Sequence, residues 1–226
     1  MRLIAFDTAT EWCTAALWQD GAVSVREVHA GQKHSDLLAP MVMDLLAEAG
    51  LSLVQLDGIA YGMGPGSFTG LRIACGVAQG LALAAGLPVL GVSTLEALAE
   101  EAHAATGATQ VVACLDARMG EVYAGLYGRE EGVWRTLAGP LVCPPAVAPL
   151  PEASGFLGAG SGFGAYAALN ERYAGLLTAV HPEMLPRARA IAGLAAPRFA
   201  RGEGVPAEQA QPLYVRDKVA LKVCER

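Results

Sequence analysis

Residues 2–29 read RLIAFDTATEWCTAALWQDGAVSVREVH, and the order of apolar runs and turns in this stretch decides the class of fold. A short apolar run at 3–6 ends in the carboxylate of Asp7. The polar turn 8–11 follows, then a second apolar run at 13–18 and the dipeptide Asp20-Gly21, a strong hairpin signal. A third run at 23–28 completes an antiparallel meander. Its first turn carries Asp7, Thr8 and Thr10.

Downstream, Gly31 and Gln32 break the strand pattern, and Ser35 or Asp36 can cap a helix that runs to about Ala49, with Pro40 near its first turn and Gly50 as its stop. The apolar side chains Leu37, Leu38, Met41, Val42, Met43, Leu45 and Leu46 sweep roughly 240° of that helix, while a helix lying on a sheet needs only somewhat more than 100°. A strand at 58–61 then enters the loop Gly62-Met63-Gly64-Pro65-Gly66-Ser67-Phe68-Thr69-Gly70, and a second helix continues to about Ala85. Its only long polar side chains are Arg72 and Gln79. Ala74, Gly76, Ala78, Gly80, Ala82 and Ala84 would let another backbone approach closely. Both helices ask for a second covering surface.

A strand at 89–92, a helix at 94–105 and a strand at 111–115 ending at Asp116 begin the pattern again, which places the start of a second half-domain near residue 102. Beyond it the sequence predicts a hairpin strand at 121–126, a Pro-rich loop at 140–151, a strand at 156–164 and a helix at 166–173. The expected architecture is α/β, with an N-terminal unit at 1–101, a smaller unit at 102–205, and a basic tail at 206–226 that packs back on the body.

Over half of the 226 residues are apolar and only 6% are aromatic, which suits helices and sheets packed through small side chains. The N-terminus lacks the long apolar stretch and cleavage site of a signal peptide, and the apolar region 71–92 contains Arg72, Gln79 and Pro88, so a soluble cytoplasmic protein with no membrane span is expected. Cys13, Cys75, Cys114, Cys143 and Cys224 are an odd, scattered set. His29, His34, His103 and His181 lack metal-binding spacing, so no metal is expected. The formal charge of −6 opposes strong nucleic-acid binding. It is uneven, since residues 1–185 hold 8 Lys+Arg against 18 Asp+Glu and residues 186–226 hold 8 against 4. That basic end could touch RNA or an acidic partner, or be simply solvated.

The glycine-rich loop at 62–70 joins a strand to a helix N-terminus and could hold an anion. It lacks the Lys-Ser/Thr ending of a P-loop, and its third glycine falls one residue late for the dinucleotide fingerprint. Ser67 has Pro65 rather than Gly two residues before it, so it is not a nucleophile elbow. The glycines also serve a tight turn and close packing. Asp7 with Thr8 and Thr10 resembles the phosphate-one loop of the actin, sugar-kinase and Hsp70 superfamily, in which a strand-end Asp orients metal-bound phosphate, but Ala9 stands where that pattern usually has glycine. Residues 160–165, GSGFGA, fit the permissive G-x-G-x-x-A pattern or a plain turn. Asp116, Arg118 and Glu121 could form an acid/base set or a structural ion pair.

DTAT at 7–10, HSDLLAPM at 34–41, YGMGPGSFTGLRI at 61–73, GVSTLEALA at 91–99 and DARMGEVYAGLY at 116–127 together resemble the TsaB family, formerly YeaZ. LGAGSG at 157–162 and PLYVRDKVA at 212–220 resemble its later landmarks. The resemblance implies two actin-like subdomains of the ASKHA, RNase H-like kind, each a mixed sheet with flanking helices. It also implies a role beside TsaD, the catalytic relative that transfers threonylcarbamoyl to adenosine in tRNA, together with the ATPase TsaE. In that relative a H-x-x-x-H pair following Gly-Val binds the active-site metal. The equivalent stretch here, Gly91-Val92-Ser93-Thr94-Leu95-Glu96-Ala97-Leu98, puts Thr94 and Leu98 at those positions, and neither can replace imidazole. The relative's Gly-rich phosphate segment appears as Asp116-Ala117-Arg118-Met119-Gly120.

The resemblance therefore implies a non-catalytic scaffold that needs no cofactor and meets tRNA only weakly or indirectly. Asp7, Thr8 and Thr10 would be a vestigial nucleotide site. The interface with TsaD, and a homodimer formed through the same helices, would use Leu37, Leu38, Met41, Val42, Leu45, Ile73, Gly76, Val77 and Gly80. The alternative is an ASKHA-type ATPase or small-molecule kinase using Asp7 and the glycine loops. A third reading, a metallopeptidase, conflicts with the missing ligands.

Overall fold

The computed structural model describes residues 1–216. The expected meander forms: β1 (Arg2–Asp7), β2 (Trp12–Gln19) and β3 (Ala22–His29) pair antiparallel, and Asp20 and Gly21 take the positive φ, 50° and 100°, that their turn demands. After α1 (His34–Glu48), β4 (Gly58–Gly64) adds parallel to β1. After α2 (Phe68–Ala85), β5 (Val89–Ser93) adds parallel to β4, giving the order β3-β2-β1-β4-β5. The crossovers are helical because parallel neighbours cannot be joined by a tight turn.

Past α3 (Thr94–Thr106) the plan repeats. β6 (Gln110–Arg118), β7 (Glu121–Glu130) and β8 (Val133–Cys143) form a second meander. β9 (Phe156–Ala159) then joins parallel to β6. The short helices α4 (Ser161–Ala165) and α5 (Ala167–Arg172) lead to β10 (Leu177–His181), for the order β10-β9-β6-β7-β8. α6 (Ala188–Ala200) returns to the first sheet. Two mixed sheets of matching topology, each with flanking helices, make the two-subdomain actin-like arrangement.

Strand alternation decides what each face receives. On the first sheet Ile4, Phe6, Cys13, Ala15, Leu17, Ile59 and Tyr61 meet α1 and α2, whereas the smaller Ala5, Ala16 and Ala60, with Leu90 and Val92, admit α6. On the second sheet Val111, Ala113, Leu115 and Leu157 take α3, while Val112, Cys114, Val122 and Ala124 face Phe163, Leu169 and Tyr173. α3 and α6 touch between the sheets, where Arg189 Nε donates to Glu101 Oε1 at 2.9 Å.

Several expectations change. α1 begins at His34 with no side-chain cap, and Pro40 lies inside it rather than near its first turn. Residues 140–143 belong to β8, so the Pro-rich loop is shorter than expected. Residues 161–165 are helical because Gly160, at φ 109°, ends β9 early. The expected boundary at residue 102 falls inside α3, and α6, expected in the second unit, covers the first sheet. The part of the tail expectation beyond residue 216 lies outside the described residues.

α1 buries Leu38, Met41, Val42 and Leu45 at 0, 6, 0 and 2% exposure, so these four of the expected interface residues belong to the chain's own core. Leu37 is half-buried, and Met43, 52% exposed, is the large apolar side chain that α1 turns outward. Leu38→Ala or Leu45→Ala should therefore cost about 2–5 kcal/mol of stability, and Met43→Ala less than ~0.5 kcal/mol. Urea denaturation of the three variants measures the difference, and similar costs at all three would contradict this burial.

Candidate functional site

The turn after β1 and the glycine loop after β4 lie side by side because β1 and β4 are parallel neighbours with Phe6 opposite Tyr61. A Cβ on Gly62 would sit 1.8 Å from Asp7 Oδ2, one on Gly66 would sit 2.7 Å from Ala9 Cβ, and one on Gly70 would sit 1.9 Å from the Thr8 carbonyl oxygen. No side chain fits at any of the three. Ser67 N donates to Ala9 O at 2.8 Å and Thr8 Oγ1 donates to Gly70 O at 2.7 Å, so backbone is bonded directly against backbone. These glycines serve close packing.

Asp7 and Thr8 are sealed beneath the loop at 1% and 0% exposure. Asp7 Oδ1 accepts from Ala9 N at 2.9 Å, and Oδ2 is buried with no partner among the described residues. Of the expected nucleotide residues, Thr10 alone lines the adjoining cleft, and its Oγ1 accepts from Trp12 N at 3.3 Å. The carboxylate that would orient a metal-bound phosphate has no path to one while the loop is closed.

That cleft, of about 1430 Å³, lies between the two sheets and is lined by the starts of α1 and α2, by Asp116, Arg118 and Tyr123, and by residues 213–216. Asp116 is fully engaged there: Oδ1 accepts from Arg118 N and Tyr166 Oη, each at 2.8 Å, and Oδ2 accepts from Arg118 Nη1 at 2.9 Å. It works as the brace of a turn in which Arg118 and Met119 hold φ of 61° and 56°. Glu121 pairs elsewhere, with Arg216. In GSGFGA, Gly160 is needed because a Cβ would meet Cys114 O at 2.2 Å.

Thr94 and Leu98, which the resemblance places at metal-ligand positions, have other work. Thr94 is fully buried and donates its hydroxyl to Pro65 O, and Leu98 is fully buried in the core beneath α3. Among the described residues, no three His, Cys, Asp or Glu side chains gather to hold a metal ion.

α2 divides into three sectors at about 100° per residue. Leu71, Ala74, Ala78 and Ala82 face the sheet. Phe68, Arg72, Cys75 and Gln79 are crossed by residues 210–214. The third sector turns Gly76, Gly80, Leu83 and Ala84 outward, while Ile73 and Val77, expected at the interface, are half-buried beside them and pack against the chain's own core. Nothing lies within 4 Å of a Cβ built at Gly76 or Gly80, and Leu83 is 59% exposed. Leu83 and Ala84, exposed on the same face, were visible in the sequence as the next turn of the 73/76/77/80 stripe. By length and composition α2 could cross a membrane, but its alanine face is packed on the sheet.

Burial pushes the Asp7 carboxyl up to about 7, opposed by the Ala9 amide and the charge of Arg187. An unfolded aspartate titrates at about 3.9. Between those values the folded chain keeps a proton that the unfolded chain has released, so this group lowers stability as pH rises from about 4 to about 7. Asp7→Asn should flatten that part of the stability–pH profile and raise stability at about pH 8 by ~2–4 kcal/mol relative to wild type. Parallel profiles for the two proteins in urea would show that Asp7 is not held this way.

The family model described as "TsaD: tRNA N6-adenosine threonylcarbamoyltransferase" matches residues 27–219. The tRNA threonylcarbamoyladenosine biosynthesis protein TsaB of Escherichia coli K12 is 43% identical over 98% of this chain and 97% of its own length, and that of Haemophilus influenzae is 37% identical over 98% and 96%. The solved structure of YeaZ from Pseudomonas aeruginosa superposes with a TM-score of 0.88 at 45% identity, covering 94% of this chain and 99% of that one. A second Pseudomonas aeruginosa structure, described as an uncharacterized protein with similarity to peptidase YeaZ, gives 0.89 at 44% identity, over 95% and 99%. Matched end to end in sequence and in fold, the chain belongs to the TsaB (YeaZ) family.

Proposed function

We propose that this chain is a soluble, cytoplasmic, non-catalytic subunit in the formation of threonylcarbamoyladenosine in tRNA, and that it grips a TsaD-type catalytic relative through the outward sector of α2. The observation that carries the reading is the pair Gly76 and Gly80. Both are exposed in mid-helix, where glycine costs ~1 kcal/mol relative to alanine, and neither is needed for packing within the chain, since the space beside each is open. Glycines that weaken a helix without serving its own fold suit a surface on which a second backbone comes close.

Leu83 and the half-buried Ile73 and Val77 flank the two glycines, and Met43 of α1 is a further exposed apolar side chain on the same subdomain. A homodimer through the same face is the natural state of the chain without its partner. A TsaE-type ATPase would dock on the assembled pair rather than on this helix. The non-catalytic character rests on the sealed Asp7, on Thr94 and Leu98 at the ligand positions, and on the engaged Asp116. The same features disfavour an ATPase or kinase that would need Asp7 at an open phosphate. A peptidase would need an assembled nucleophile or metal set, and the described residues gather no such metal-holding group.

Gly76→Ala and Gly80→Ala should each stabilise the isolated chain by about 0.5–1 kcal/mol while weakening association with the TsaD-type relative, and Gly76→Arg or Gly80→Arg should abolish that association with the fold intact. Urea denaturation and a calorimetric titration of the two purified proteins read the two effects. Undiminished binding by the arginine variants would remove this face from the interface.

A further inference from the structure

We propose that residues 210–216 form a latch between the two subdomains, with Arg216 as its catch. The segment leaves the short turn Ala207–Gln209 and runs between β4 and α2. Tyr61 Oη donates to Gln211 O at 3.1 Å and accepts from Gln211 N at 2.9 Å, and Leu213 N donates to Met63 O at 2.6 Å. Cys75 Sγ and Gln79 Nε2 both donate to Ala210 O, at 3.4 and 3.0 Å. Arg72 Nε donates to Tyr214 Oη at 2.9 Å, and its guanidinium lies 3.8 Å from the centre of the Phe68 ring. All of these anchors belong to the first subdomain.

Among the described residues of this segment, Arg216 alone makes bonds to the second subdomain. Its Nη2 donates to Glu121 Oε2 at 2.6 Å, its Nη1 lies 3.9 Å from Met119 Sδ, and its guanidinium is 5.9 Å from the centre of the Tyr123 ring. All three partners sit on the β6–β7 hairpin of the second subdomain. The Arg216 side chain is 14% exposed and that of Glu121 33%, so water screens this pair less than an ordinary surface ion pair. Arg216 Nε is buried with no partner among the described residues, so the grip shown is incomplete, which suits a catch that can let go.

The two subdomains are joined on opposite sides in unlike ways. Between the sheets α3 and α6 pack directly and Glu101 pairs with Arg189. Across the cleft, among the described residues, the hydrogen-bonded links are the Arg216–Glu121 pair and a long contact of 3.4 Å from Tyr123 Oη to Gly66 O, on the same hairpin, and Trp12 of β2 packs against the core of the second sheet. Leu213, Tyr214, Val215 and Arg216 all line the cleft, so release of the catch would free the hairpin and widen the cleft about the α3–α6 contact.

The test is amide hydrogen exchange on the full chain, comparing wild type with Arg216→Ala, Glu121→Gln and the charge-swapped pair Arg216→Glu with Glu121→Arg. Exchange at 116–123 should rise about tenfold in the first two variants, with 59–64 and the α2 amides unchanged, and the swapped pair should recover at least part of the protection. Unchanged exchange at 116–123, equal acceleration throughout both sheets in both single variants, or no recovery in the swapped pair would each overturn the latch.

Discussion

The contact of the turn 7–9 with the glycine loop 62–70 is the constraint on which the functional half of this molecule depends. Three glycines let two stretches of backbone approach to distances that no side chain permits, and the bonds from Ser67 N to Ala9 O and from Thr8 Oγ1 to Gly70 O hold them there. Gly70 is in the first turn of α2, so this contact also sets where that helix starts and how it is rotated. With Leu71, Ala74 and Ala78 turned to the sheet, Gly76 and Gly80 must turn to water.

One packing arrangement thus has two consequences. It encloses Asp7, leaving an orphaned carboxylate oxygen in a place from which no phosphate can be reached, and it presents an apolar, small-residue helix face outside. An open phosphate site at this turn would need side chains or ligand atoms where the glycine loop now lies. A fold that matches a transferase family model is here arranged with its turn carboxylate enclosed and a small-residue helix face turned outward, the face we propose for recognition.

The opening meander was legible because Asp20-Gly21 is a turn signal with a mechanism and the runs around it have strand length. α2 was legible as an over-apolar helix, but of its small residues Ala74, Ala78 and Ala82 went to the chain's own sheet and Gly76, Gly80 and Ala84 stayed outside. α1 misled, because a 240° apolar arc does not say which part of it the chain's own core will take; Leu38, Met41, Val42 and Leu45 went inward, and Met43 stayed out. The burial of Asp7 was not legible, since it follows from a contact between residues more than fifty positions apart. α6 left a readable trace, an alanine-rich stretch with Arg198 in its last turn and Gly202 beyond, but its place on the first sheet depends on topology. The path of residues 210–216 along α2 depends on single hydrogen bonds that no periodicity records.

Hydroxyl-radical footprinting of the chain with and without its TsaD-type relative tests the central claim most directly, because it reads side-chain exposure residue by residue. The account predicts that Ile73, Val77 and Leu83 lose reactivity in the complex while Tyr214 and the cleft-lining Arg118 keep theirs. Loss of reactivity at the cleft, with the α2 sector still open to water, would contradict it.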